Sequence, residues 1–183
     1  GTGGWGSLAG GVTNLRDYWA LGSRNNQNAR VGNSLAGYNP GACQFRVYGL
    51  MLFQTVLGSY GSPGAFTLCA IDLSNTLSGV INLTLAGDMP PKAITPSHGF
   101  DWDTDVNVGY VLPCNCTNDP GDLSHVYKVT PPASDRLGGT WTLTKLPLPQ
   151  ALPANNGDGI YSRWRYVKSI KKFAYVATTV SKV

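Results

Sequence analysis

The sequence predicts an all-β chain, an antiparallel β-sandwich entered through an extended N-terminal arm, and three observations carry that prediction. All ten acidic residues among the 183 are aspartate, so glutamate, a strong helix former, is absent. Glycine occurs 23 times and proline 12 times, and both interrupt helices and punctuate turns. The apolar runs are rich in β-branched and aromatic residues and are bounded by Gly, Pro, Asn and Ser, which is the pattern of strands and turns. A chain of this length buries enough surface for one domain with its own core.

Residues 1–41 are dominated by Gly, Asn, Ser and Ala. They read as an extended arm, with one short helical turn around Asn14 to Leu21 that Thr13 can cap. The domain proper is expected over 42–183. Its first run, Cys43 to Val56, is a strand buried on both faces or two strand halves around Gly49, because aromatic and β-branched content outweighs any helical period. The Gly/Ser/Pro turn at 58–64 then leads into Ala65 to Leu73, the antiparallel partner.

Further strands are predicted at Gly79 to Leu85, Asp105 to Leu112, Ser124 to Thr130 and Gly139 to Leu146. The final aromatic segment from Ile160 is long enough for two strand lengths or one bent strand. The stretch from Asp88 to Phe100 is read as a proline-punctuated connection. Seven or eight strands joined by loops of unequal length, with long proline-rich crossings, favour Greek-key connections of a jelly roll over an immunoglobulin-like sandwich or propeller blades. No repeat of fixed period occurs.

Charged residues make up 13% of the chain, well below the roughly 25% usual for soluble domains. Much of the surface is therefore Asn, Ser, Thr and Gly, which suits secreted proteins, lectins and virion proteins packed against their own copies. The net charge of +4 is uneven. Arg163, Arg165, Lys168, Lys171 and Lys172 form a basic segment near the C-terminus, a candidate interface or nucleic-acid contact, while Asp101, Asp103 and Asp105 concentrate the opposite sign. No basic arm of the kind that packages nucleic acid is present, and no signal peptide or bilayer-spanning run is read, so no membrane insertion is expected.

No nucleophile elbow, phosphate loop or dinucleotide fingerprint is found, so the expectation is that the chain is not an enzyme. Cys114-x-Cys116 with His98 and His125 lacks zinc-site spacing. Cys43 and Cys69, inside apolar runs, are expected to be buried free thiols.

The aspartate run is the one site signal. In an extended chain Asp101, Asp103 and Asp105 project to one face, and like charges so arranged need a cation or a basic partner between them. Calcium, which takes six to eight oxygen ligands, is the natural candidate cofactor. Val106 and Leu112 stand where an EF-hand needs glycine and glutamate, so an EF-hand is excluded. The alternatives are pairing with a basic patch of a neighbouring copy, or a solvated loop.

In the basic segment, Trp164, Tyr166, Phe173 and Tyr175 belong either to the core or to a surface that stacks bases or carbohydrate. Asn82-Leu83-Thr84 and Asn115-Cys116-Thr117 match the glycosylation acceptor pattern.

The segment FRVYGLMLFQTV, a Gly/Ser/Pro turn and GAFTLCAIDLS resembles the paired early strands of the jelly-roll coat proteins of small icosahedral positive-strand RNA viruses. The matching positions are Phe45, Arg46, Val47, Leu50, Gly64, Leu68, Ala70 and Asp72. The resemblance covers about 30 residues, and the basic arm common in such coats is missing. It implies a self-assembling capsid subunit of the virion. Its edges and loops would meet copies of itself or sibling subunits, its aspartates would hold interface calcium, its inner face would meet the genome, and its outer face would meet a host receptor. The alternatives are a capsid projecting or fibre-head receptor-binding domain, or a secreted carbohydrate-binding lectin.

Overall fold

The computed structural model describes residues 44–57, 64–75, 80–92, 98–116, 119–120, 123–153, 160 and 163–177. The predicted arm over 1–41, its helical turn and Cys43 lie outside them. The described residues are built from strands joined by turns, with one short 3-10 turn and no α-helix. Among them no helix is long and apolar enough to cross a membrane.

The first apolar run folds back on itself as strands β1 (Gln44–Val47) and β2 (Leu50–Leu57). Val47 faces Leu50 across the two-residue turn Tyr48–Gly49, whose φ values are 54° and 72°. Positive φ at both central residues is the hairpin geometry that matches the right-handed twist of the flanking strands. Glycine adopts it freely, whereas an aromatic side chain does so only under constraint.

Strand β3 (Ala65–Asp72) pairs antiparallel with β2 over eight residues, from Leu50↔Asp72 to Leu57↔Ala65, so the predicted hairpin is present. The strand expected at 79–85 divides into β4 (Val80–Asn82), which pairs with β3, and β5 (Thr84–Gly87), which belongs to a second sheet. Leu83 makes the crossing, with its side chain buried and its N–H donating to Leu68 O at 2.9 Å.

The second sheet continues with β6 (Gly99–Asp103) and β7 (Val108–Leu112). A small ladder of β8 (Asn115–Cys116) and β9 (Asp119–Pro120) follows. The sheet is completed by β10 (His125–Thr130) and β11 (Thr140–Pro147), in the order β5-β11-β10-β7-β6. The expectation of antiparallel pairing throughout is corrected here. β5 runs parallel to β11, Thr140↔Thr84 to Leu143↔Gly87, because the one-residue crossing at Leu83 delivers β5 in the direction β11 also takes. β6, whose first two residues the sequence places in a connection, is a strand because Phe100 and Trp102 alternate inward between polar neighbours. The last segment forms the hairpin β12 (Trp164–Val167) and β13 (Lys172–Tyr175), closed by a 3-10 turn at Lys168–Ile170 and by Lys171 at φ 50°.

The two large sheets face each other across one apolar cluster. The first contributes Leu50, Leu52, Phe66, Leu68 and Ala70, and the second Phe100, Trp102, Val111, Tyr127, Val129, Trp141 and Leu143. Each large side chain so buried contributes about 1.5–3 kcal/mol, which makes this cluster the main source of stability. The opposite face of the second sheet is also covered. Leu112 and Val126 pack there with Leu123, Ile160 and Trp164, so the terminal hairpin lies over β6 and β7 as a third layer.

Gly99 permits that approach: a Cβ there would stand 2.6 Å from Ile160 Cγ2 and 2.6 Å from Trp164 Cβ. Cys69 and Cys114 are buried, and Cys69 Sγ donates to Asn82 Oδ1 at 3.1 Å.

Candidate functional site

Strand alternation sends Phe100 and Trp102 into the shared core and Asp101 and Asp103 to the opposite face, beneath the terminal hairpin. Asp105 lies past the strand end, in the turn at 104–107. The three carboxylates take different partners. Asp101 is buried, and its two oxygens accept two backbone N–H groups: Oδ1 that of Trp102 at 2.9 Å, and Oδ2 that of Tyr166 at 2.6 Å. Asp103 Oδ1 accepts the N–H groups of Asp105 and Val106 at 2.9 and 3.3 Å, closing the turn. Asp105 Oδ2 accepts the Tyr166 hydroxyl at 2.8 Å.

These contacts are a docking surface for the hairpin. A calcium ion needs several oxygens converging on one point. Among the described residues no group of three His, Cys, Asp or Glu side chains converges to hold a metal ion. Of the six carboxylate oxygens of Asp101, Asp103 and Asp105, the residues expected to hold calcium, four accept N–H or O–H groups of the same chain.

The cationic partner of Asp101 comes from the same chain. Arg165 NH1 lies 3.8 Å from Asp101 Oδ1, with the Arg165 side chain half exposed. Arg163 instead ties the base of the hairpin, donating through NH1 to Ala177 O at 3.2 Å and through Nε to Ile160 O at 3.4 Å. Lys168, Lys171 and Lys172 are exposed at the tip. β12 runs alongside β6 in the same direction, Trp164 beside Gly99 and Tyr166 beside Asp101 and Asp105.

The aromatic side chains of the hairpin are spent on packing. Phe173 stacks on Trp164 at 4.7 Å between ring centroids and meets Tyr110 at 4.9 Å and Tyr166 at 5.2 Å. Trp164 Nε1 donates to Tyr110 O at 3.1 Å. Burial, and then the hydrogen bond to Asp105, push the Tyr166 phenol well above the ordinary tyrosine range. Burial raises Tyr110 and Tyr175 in the same direction.

His98 is buried, and its Nδ1 accepts the Cys114 N–H at 2.9 Å, which fixes a neutral ring with the proton on Nε2. His125 Nδ1 sits 2.8 Å from Ser124 Oγ. The two histidines serve separate parts of the fold.

A second cluster, which the sequence did not single out, lies at the Tyr48 turn. The Arg136 guanidinium carbon stands 4.3 Å over the Tyr48 ring, and Trp102 meets the same ring edge-on at 6.3 Å. Trp141 packs edge-on against Trp102 at 6.3 Å and donates its indole N–H to Arg136 O at 2.9 Å. Tyr48 and Arg136 are far apart in the chain, so no local motif announces their meeting.

Comparison with known protein families, with curated proteins and with solved structures found no match.

Proposed function

We propose that this chain is a structural subunit of an icosahedral virus capsid, which assembles with its own copies or sibling subunits into the shell of the virion. The observation that carries the proposal is an apolar end on a charge-poor β domain. Tyr48, Leu73 and Val106 are exposed together around the β1–β2 turn: Leu73 N–H bonds Gly49 O, and the Tyr48 hydroxyl donates to Asn107 O. Ile170, 59% exposed, lies on the tip of the terminal hairpin. Apolar side chains exposed near the ends of strands suit contacts between subunits better than they suit bulk water.

The finer class, a jelly roll, belongs to the proposal as well. Among the described strands β5 and β6 are consecutive in the chain yet stand at opposite edges of the five-stranded sheet, so the chain between them passes from one edge to the other, a long crossing in addition to the short one at Leu83. Lys168, Lys171 and Lys172 would then form the basic contact toward the genome, and the opposite surfaces would meet a receptor.

Light scattering and negative-stain microscopy over a concentration series test the reading. Closed particles or defined oligomers are expected, dissociated by Val106→Asp combined with Ile170→Asp. A chelator is expected to leave them intact, since the three aspartates are engaged by N–H and O–H donors. A chain that stays monomeric at high concentration refutes the proposal.

A further inference from the structure

We propose that the shell of side chains around Tyr48 is a binding site for a carboxylate-bearing ligand, held by the Arg136 guanidinium and the indole N–H of Trp102. The proposal stands independently of the coat-subunit reading.

Its starting point is a pair of buried donors. Trp102 is 3% exposed, yet among the described residues its Nε1–H has no hydrogen-bond partner, and neither has the buried NH1 of Arg136. The great majority of buried polar groups are paired, and leaving one unpaired costs about 1–3 kcal/mol. The two side chains that carry these donors pack on one ring, Tyr48: the Arg136 guanidinium carbon lies 4.3 Å from its centroid and the Trp102 ring meets it edge-on at 6.3 Å. Two donors in one shell call for an acceptor, and Arg136 carries a permanent positive charge. A carboxylate has two oxygens and one negative charge, so it can accept from both groups at once. A phosphate dianion is disfavoured, because the site offers a single arginine and Asp135 precedes that arginine in the chain.

The site is held in place before any ligand arrives. Trp141 Nε1–H pins the Arg136 carbonyl. Asp135, the nearest carboxylate along the chain, turns its Oδ1 to the Gly138 N–H at 2.8 Å, while its carbonyl accepts the Gly139 N–H at 2.8 Å. It therefore serves its own loop. Tyr48, Asn107 and Asp135 all have positive φ, and all three border this cluster. Non-glycine residues in that region cost on the order of 1–3 kcal/mol each and gather at ligand clamps. Tyr48, 41% exposed, forms the solvent side through which a carboxylate would enter.

Nitrogen–proton correlation spectra report on the Trp102 indole directly, with the cross-peak assigned by its loss in Trp102→Phe. Sodium acetate, compared with sodium chloride at equal ionic strength, is expected to move that peak downfield in a saturable way and to leave those of Trp141 and Trp164 in place. Arg136→Gln is expected to weaken the acetate response about tenfold or more while the other indole peaks keep their positions, which shows an intact fold. If the same shift develops on raising protein concentration without acetate, and acetate competes with it, the carboxylate is an aspartate of a second copy. If it develops only with acetate, the ligand is a free carboxylate. A Trp102 peak that ignores acetate, moves equally in chloride, or responds undiminished in Arg136→Gln overturns the proposal and leaves buried water as the acceptor.

Discussion

Asp101→Asn separates the hydrogen bonds of Asp101 from its charge. The carboxylate accepts two backbone N–H groups, one oxygen each, from Trp102 in its own strand and from Tyr166 in the terminal hairpin. Asparagine has the same shape but only one acceptor oxygen, so whichever way its amide is turned, one of those N–H groups faces an NH2 donor. The lost bond is to a charged acceptor in a buried place, worth about 1.5–3 kcal/mol. Arg165 adds little, since its side chain is half exposed and 3.8 Å away, and such pairs are worth about 1 kcal/mol or less. At about 2–4 °C per kcal/mol for a chain of this size, Asp101→Asn should melt about 3–12 °C below wild type. Arg165→Ala should melt no more than about 2–4 °C below it. Thermal denaturation followed by circular dichroism measures both. If Asp101→Asn melts with wild type, or if Arg165→Ala costs as much, the two N–H bonds are not what fastens the hairpin.

Gly99→Ala would place a methyl 2.6 Å from Ile160 Cγ2 and Trp164 Cβ, an overpacking that costs about 1–3 kcal/mol. The hairpin should lift, and Trp164 emission should shift to the red in fluorescence spectra. Unchanged emission and melting temperature would show that the layers are not in close contact there. In alkaline solution the sign follows from the tyrosines: Tyr166, Tyr110 and Tyr175 ionise above the ordinary value of 10.0 when folded, so the fold favours their neutral form. Stability from these groups is complete below about pH 10 and is lost as the pH climbs from there through the folded values. Denaturant midpoints should fall over that range, and less steeply in Tyr166→Phe. A midpoint independent of alkaline pH would contradict the raised phenol.

The strands most legible in the sequence were those with one apolar run and one partner nearby in the chain. β2 and β3, joined by a Gly/Pro turn, and β10 and β11, with alternating Val, Trp and Leu, lie where the pattern placed them. β6 was hidden among prolines, because five residues with two aromatic ones make a weak period. The division at Leu83 was hidden for a different reason. A single residue carries the chain from one sheet to the other, and nothing local distinguishes that from a continuous strand.

The same division holds for the candidate sites. The charge segregation of Asp101, Asp103 and Asp105 against Arg165 and the lysines is written in the sequence, and so is the all-β character, since absent glutamate and abundant glycine and proline leave helices little support. Only the tertiary structure decided that the aspartates turn their oxygens to the N–H and O–H groups of their own terminal hairpin and turn. It alone set Arg136 over the Tyr48 ring, with the Trp102 ring edge-on to the same tyrosine. Strand alternation is local and can be read along the chain, whereas the direction a carboxylate or guanidinium faces depends on which distant backbone the packing of three layers brings against it.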